Sequence, residues 1–441
     1  MISYIRRFIY TTVLVLLSLT SVCATDIDSE LALDVPYAVL LDATSGEVLF
    51  SQNAYQRTYP ASTTKIMTGL LVVEAVESGL LTQAQLITCT EAAFNGMVED
   101  GSTQNIVTGE ALSVDDLLHC LLMSSANEAA NILAIAVAGD EASFVALMNQ
   151  RATELGCIDT HFINAHGLHN DDHYTTAYDI GLLLQEAMTH PLFAQIAATS
   201  TYTTAATEYA QARTLHNSNA LISDNYASGY LYEQAIGGKT GYTKMAGRCL
   251  ATMAQEDDSV WISVVMGGEN LTQADGSVDY QQFSQSIALL DWGFSQFQTV
   301  TLSPSTASVT SQLVNGGDAE SVAVTLIGDI TATLPTGVTF DDFTLDLTLN
   351  QETIEAPVSA GQLLGTCSVS YEGTLYGQLD LQAVEAVSIP EPEPTPSSPS
   401  SPFTPAVMVV MGLIILCASA LIWLHRPKPV VASRRRYSRY K

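Results

Sequence analysis

The run PAVMVVMGLIILCASALIWL, Pro405 to Leu424, holds twenty residues without a charge. That is long and apolar enough to cross a bilayer as a single helix. The residues that follow include Arg426, Lys428, Arg434, Arg435, Arg436, Arg439 and Lys441, with no acid among them. Positive charge flanking a span marks the cytoplasmic side. A basic tail on its own also suits nucleic acid, but beside a span the membrane reading takes precedence. The rest of the chain is therefore expected to fold outside the cell.

The other end agrees. Arg6 and Arg7 precede an apolar stretch from Phe8 to Leu19, and Val22 and Ala24 form a small-residue cleavage site. This pattern predicts a secretory signal over residues 1–24; an uncleaved anchor is the alternative. Between Thr25 and Pro402 lie all 46 Asp+Glu but only seven of the 16 Lys+Arg: Arg57, Lys65, Arg151, Arg213, Lys239, Lys244 and Arg248. So acidic a domain stays soluble and repels polyanions, which excludes nucleic acid as a partner. Five cysteines in this region, Cys89, Cys120, Cys157, Cys249 and Cys367, have neither CxxC nor zinc spacing. They read as buried thiols, with a disulfide as the alternative for an exported chain.

The texture along the chain divides it. Residues 25–298 mix strands and helices, the pattern of an α+β domain. YAVLLDATSGEVLF (37–50) reads as two strands about a Thr-Ser-Gly turn. Residues 62–78 read as a buried helix that stops at Gly79. Ser113 with Asp116 caps a long apolar helical tract through LLHCLLMSSANEAANILAIAVA. GRCLATMA and VWISVVMGG read as core strands, and QQFSQSIALLDWGF as a closing helix. Residues 299–388 lose the helical signals. VAVTLI and FTLDLTL alternate with period two there, which predicts a small all-β domain. Residues 389–404 are a Pro/Ser linker with a reach of roughly 45 Å if it stays in polyproline form. The span at 405–424 and a basic cytoplasmic tail at 425–441 complete the chain.

Three short motifs carry chemistry. In PASTTKIMTGLL, Ser62 and Lys65 stand three apart, on one face of a helix. A lysine in an apolar site loses hydration, so its pKa falls and it can act as a base. It can then activate the hydroxyl as a nucleophile. About sixty residues on, Ser125-Ala126-Asn127 interrupts an apolar tract, where polar side chains need hydrogen-bond partners. Lys239-Thr240-Gly241 follows Gly237-Gly238, a strand edge that a ligand can approach closely. Each triplet alone is weak. The three in this order match the motif set of serine penicillin-interacting enzymes.

The stretches PASTTKIMTGLL, LLMSSANEAANILA, FINAHGLHNDDHYTTAYDIGLLL and GGKTGYTKMAGRCLATMA resemble those of the low-molecular-mass penicillin-binding proteins, the serine-type D-alanyl-D-alanine carboxypeptidases. APVSAGQLLG is similar to part of that family's C-terminal module. The resemblance implies a penicillin-binding/β-lactamase-like transpeptidase fold, an antiparallel sheet packed with helices plus a helical subdomain. A small all-β domain and a single transmembrane helix would follow. It implies that Ser62 attacks the carbonyl between two terminal D-alanines, with Lys65 as base. Ser125 and Asn127 would relay protons and hold the substrate amide. Lys239 would keep the site electropositive. Thr240 would bind the terminal carboxylate within a substrate-binding strand that includes Gly241 and Tyr242. The backbone N–H groups of Ser62 and Tyr242 would stabilise the oxyanion. No metal or cofactor is implied. The expected partners are peptidoglycan stem peptides ending in D-Ala-D-Ala, β-lactams as covalent inhibitors, and the membrane.

One departure stands out. Family members often carry a basic residue just after the Met-Gly-Gly strand end, to assist carboxylate recognition, and MGGENLTQADGSVDYQQF has none. Arg248 and Lys244 are candidate substitutes. Two other functions follow from the same motifs. A wall-binding scaffold with a relict site would release no D-alanine. A β-lactamase would need a deacylating glutamate after the second motif, and none occurs between Glu154 and Glu186. The dense stretch of His166, His169, Asp171, Asp172 and His173 reads as a structural loop beside the site, with metal binding as its alternative. Trp261 and Trp292 read as core.

Overall fold

The computed structural model describes residues 31–98, 101–304, 307–391 and 405–426. The expected signal at 1–24, most of the linker, and the basic tail beyond Arg426 lie outside the described residues. The chain divides into two compact units. Among the described residues, one comprises those before 305 with Ile327–Leu347 and Cys367–Leu379, and the other residues 307–326, Thr348–Thr366 and those from Asp380 on.

The first unit is built on a five-stranded sheet. Its strands are β1 (Tyr37–Asp42), β2 (Val48–Gln52), β3 (Ala235–Thr243), β4 (Gly247–Glu256) and β5 (Ser259–Gly268), in the order β2-β1-β5-β4-β3. All four pairings are antiparallel. The central strands are apolar at nearly every position because both faces are covered. On β1, Ala38 and Leu40 join one core cluster with Trp261, Phe283 and Leu290, while Val39 and Leu41 join the other with Ile262 and Val264. Helix α7 (Gln281–Gln296) supplies much of the first cluster. It approaches so closely at Gly293 that a Cβ there would lie 2.5 Å from Leu40 Cδ2.

The second cluster is the helical layer. It contains α1 (Lys65–Glu77), α2 (Val114–Leu122), α3 (Asn127–Ala138), α4 (Glu141–Glu154), α5 (Ala177–Thr189) and α6 (Pro191–Ala198). Ser113 caps α2 as expected, accepting a hydrogen bond from Asp116 N at 3.0 Å. The long tract read from sequence as one helix is two. Met123 to Ala126 break it, and Ser125 takes a left-handed φ of +62°. The N-terminal helix likewise begins later than its pattern suggested: Ala61–Thr64 form a tight 3₁₀ turn, and α1 starts at Lys65. Gly79, with φ of +78°, follows its end.

From Phe297 to Ala383 the described elements are strands, apart from a three-residue 3₁₀ turn at Phe340–Asp342. In the second unit, Thr310–Asn315 pairs antiparallel with residues 321–324 and parallel with Thr353–Glu355. Val322 and Val324 are buried there, in step with the alternation. The last described helix, α8 (Pro405–Leu424), is long and apolar enough to cross a membrane. The five cysteines from Cys89 to Cys367 are buried free thiols.

Candidate active site

Ser62 sits in the 3₁₀ turn, immediately before α1. The residue ahead of it, Ala61, has φ of +49°, a conformation that costs a non-glycine residue about 1–3 kcal/mol. Its surroundings hold it. Thr64 Oγ1 donates to Ala61 O at 2.8 Å and accepts from His173 Nε2 at 2.8 Å. His173 Nδ1 in turn accepts from Ile163 N at 3.1 Å, which fixes the Nε2–H tautomer. Burial holds this imidazole neutral, down to about 3, so it is a rigid donor with no free lone pair for a metal.

Lys65 is fully buried. Its Nζ lies 3.1 Å from Ser62 Oγ, 2.8 Å from Asn127 Oδ1 and 2.6 Å from the His166 carbonyl oxygen. Burial drives its pKa well below the ordinary lysine range, and the charge of Lys239 lowers it further; Glu128 opposes both. A neutral amine within hydrogen-bond reach of a hydroxyl is the arrangement of a base and its nucleophile. Lys239 is equally buried and is pushed down to about 7 by desolvation. Its nitrogen donates to the Thr240 carbonyl at 3.0 Å, and its charge is one of the causes that lower the pKa of Lys65.

A cleft of about 1010 Å³ opens over these groups. Ser62, Ser125, Asn127, Thr240, Gly241 and Tyr242 all line it. Lys239 does not, and of the eight residues expected from sequence it is one of two, with Lys65, held behind the wall. The Ser125 hydroxyl is buried and has no hydrogen-bond partner among the described residues. Thr240 Oγ1 is 2.6 Å from Ser218 Oγ. At Gly241 the edge strand β3 passes the nucleophile turn so closely that a Cβ would stand 3.1 Å from Ser62 N and Thr63 N.

Several contributors carried no signal in the sequence. The His166 carbonyl is a backbone group, blind to residue type. Glu128, directly after Asn127, is fully buried and accepts from Thr103 Oγ1 at 2.8 Å and Gln104 N at 2.6 Å, which pins the segment lining one side of the cleft. Arg213 ties that segment further, through Gln104 O at 2.9 Å and both carboxylate oxygens of buried Glu110 at 2.8 Å. Arg248 and Lys244, the two candidate substitutes, both line the cleft. Arg248 is the cross-strand neighbour of Gly268, and its guanidinium lies 4.1 Å over the Tyr242 ring.

A serine hydroxyl held by a desolvated lysine, over an α+β fold of this topology, defines a serine-type peptidase. A D-alanyl-D-alanine carboxypeptidase profile matches residues 24–270, and a profile of the penicillin-binding protein 5 C-terminal domain matches residues 297–388. The chain belongs to the D-alanyl-D-alanine carboxypeptidase family and has the penicillin-binding protein 5-like fold with its all-β C-terminal domain. It is 30% identical over 362 residues to D-alanyl-D-alanine carboxypeptidase DacF of Bacillus subtilis, covering 81% of this chain and 87% of that one. It is 30% identical over 359 residues to DacA of Escherichia coli K12, covering 80% and 84%. Among solved structures, penicillin-binding protein 5 of Haemophilus influenzae superposes with a TM-score of 0.61 at 27% identity, covering 81% of this chain and 98% of that one.

Proposed function

We propose that this hydrolase is a membrane-anchored carboxypeptidase that removes the terminal D-alanine from peptidoglycan stem peptides through a Ser62 acyl-enzyme, and that penicillins acylate the same serine. The observation that carries the reading is the 3.1 Å approach of the buried Lys65 nitrogen to Ser62 Oγ. Neutral Lys65 takes the hydroxyl proton as Ser62 Oγ bonds to the scissile carbonyl carbon. The backbone N–H groups of Ser62 and Tyr242 receive the oxyanion. As the C–N bond breaks, the Ser125 hydroxyl delivers a proton to the leaving amine and takes one back from Lys65, which is neutral again, while Asn127 holds the substrate amide. D-alanine departs. Water then attacks the ester, its proton passing to Lys65 and from there back to Ser62 Oγ.

Thr240 takes the terminal carboxylate, in the field of Lys239. Arg248, opposite Gly268 in the sheet, supplies the cation that the segment after Met-Gly-Gly lacks. Helix α8 anchors the chain, with the peptidase unit outside the membrane and the basic tail inside.

Two measurements on the full-length protein in detergent test this. A fluorescent penicillin should label the wild type and not Ser62→Ala. Free D-alanine should appear from a synthetic pentapeptide ending in D-Ala-D-Ala. Labelling that survives Ser62→Ala refutes the nucleophile; a folded wild type that releases no D-alanine favours the scaffold.

A further inference from the structure

Beside the catalytic cleft lies a second groove of about 750 Å³ that no step above uses. Tyr242, Lys244 and Arg248 line both, so the two are continuous along one wall. Tyr59 and Tyr174 add aromatic surface, and Arg57 adds a third cation. A domain with seven basic residues against 46 acids thus places three of the seven on one groove. Their situations differ. Arg57 is bonded to Asp159 at 2.8 Å and lies 4.4 Å over the Tyr174 ring. Arg248 is held by Tyr242 and donates to the Tyr226 hydroxyl at 3.0 Å. Lys244 is exposed, and among the described residues it has no carboxylate partner. Two acids also line the groove. Asp171 pairs with His169 at 3.2 Å and Glu269 is exposed, which leaves Lys244 and Arg248 against one acid.

The sense of the bound chain follows from the roles assigned above, and the inference rests on them. The terminal carboxylate lies at Thr240 and the scissile carbonyl at Tyr242 N–H. Strand β3 is the outer strand of its sheet, free to take an extended peptide along its edge. Upstream residues must then run past Tyr242 toward Lys244, in the hairpin turn between β3 and β4. At about 3.4 Å per extended residue, two residues before the scissile carbonyl reach that turn.

We propose that the second groove holds the upstream arm of the peptide substrate, and that Lys244 pairs with a carboxylate carried two to three residues before the scissile bond. The enzyme is thereby selective for anionic, extended peptides over short or neutral ones that share the same D-Ala-D-Ala end.

The test uses the full-length protein in detergent and two synthetic pentapeptides ending in D-Ala-D-Ala, identical except for Glu or Gln as the second residue. The wild type should favour the Glu peptide about fivefold in kcat/KM at low ionic strength, with the preference fading as salt is added. Lys244→Met should bring the ratio near one, and Lys244→Arg should restore it. A ratio near one in the wild type, or a preference that persists in Lys244→Met, overturns the proposal. Cleavage of neither peptide by folded wild type overturns the carboxypeptidase reading itself, a different result.

Discussion

A Cβ on Gly167 would fall 1.9 Å from the carbonyl oxygen of Ala61. The loop that supplies the His166 carbonyl to Lys65 therefore also presses on the turn that presents Ser62. Gly167 has φ of +87°, so an added side chain meets both a strained backbone and a fixed neighbour. Gly167→Ala should cost about 3 kcal/mol of stability. It should also slow penicillin acylation at least roughly tenfold, because a 1 Å displacement of a nucleophile is that expensive. Thermal melts and stopped-flow labelling check this; wild-type values in both would show that the contact relaxes at no cost.

On the proposed mechanism, the two lysines should set the pH response. Lys65 must be neutral to accept a proton, and burial with the neighbouring charge of Lys239 places its pKa below the ordinary lysine range. Lys239 must stay charged to attract the carboxylate, and its pKa is about 7. kcat/KM should rise on the acid side as Lys65 deprotonates and decline above about 7 as Lys239 does. Because the amines interact, the two limbs belong to the pair. Lys239→Arg keeps its charge at every accessible pH. It should lower activity overall yet remove the alkaline limb, so an unchanged limb in that variant assigns it to another group.

Burying Lys239 also has a stability consequence with a definite sign. Its folded pKa of about 7 lies below the model-compound 10.5, so the unfolded chain binds the extra proton between those values. The penalty is complete below about 7 and is relieved as pH rises toward 10.5. Lys239→Met should thus be inactive but more stable at pH 6, by roughly 1–3 kcal/mol. The gain should shrink by pH 9. Urea unfolding at both pH values measures it, and a variant less stable than wild type at pH 6 contradicts the account.

The residues proposed for catalysis stood out in the chain because each breaks a local rule. Lys65 is a lone charge in an apolar run, Ser125 and Asn127 interrupt a helical tract, and Lys239 opens a glycine-rich strand. Polar groups in such places need partners, and the fold supplies them. The sheet was legible for the complementary reason: β4 and β5 carry long, mostly apolar runs, Cys249–Ala254 and Val260–Met266, so both faces had to be covered. The helix through Ser125 was misread because periodicity alone hides a single left-handed residue; α2 and α3 keep compatible apolar patterns on either side of the break. The clamp from His173 through Thr64 to Ala61 was out of reach for a different reason. Its members are 109 residues apart, and its last acceptor is a carbonyl that any residue would provide. Density of histidines marked that stretch as a structural loop beside the site, without showing what it holds.

The sequestered sulfurs bear on how such a chain can mature. Burial raises the thiols of Cys120 and Cys249 to about 12, so neither offers an appreciable amount of the anion that oxidants and disulfides attack. Among the described residues no two sulfurs are joined, so the folded form rests on no oxidation step and should be the same in oxidising and reducing surroundings.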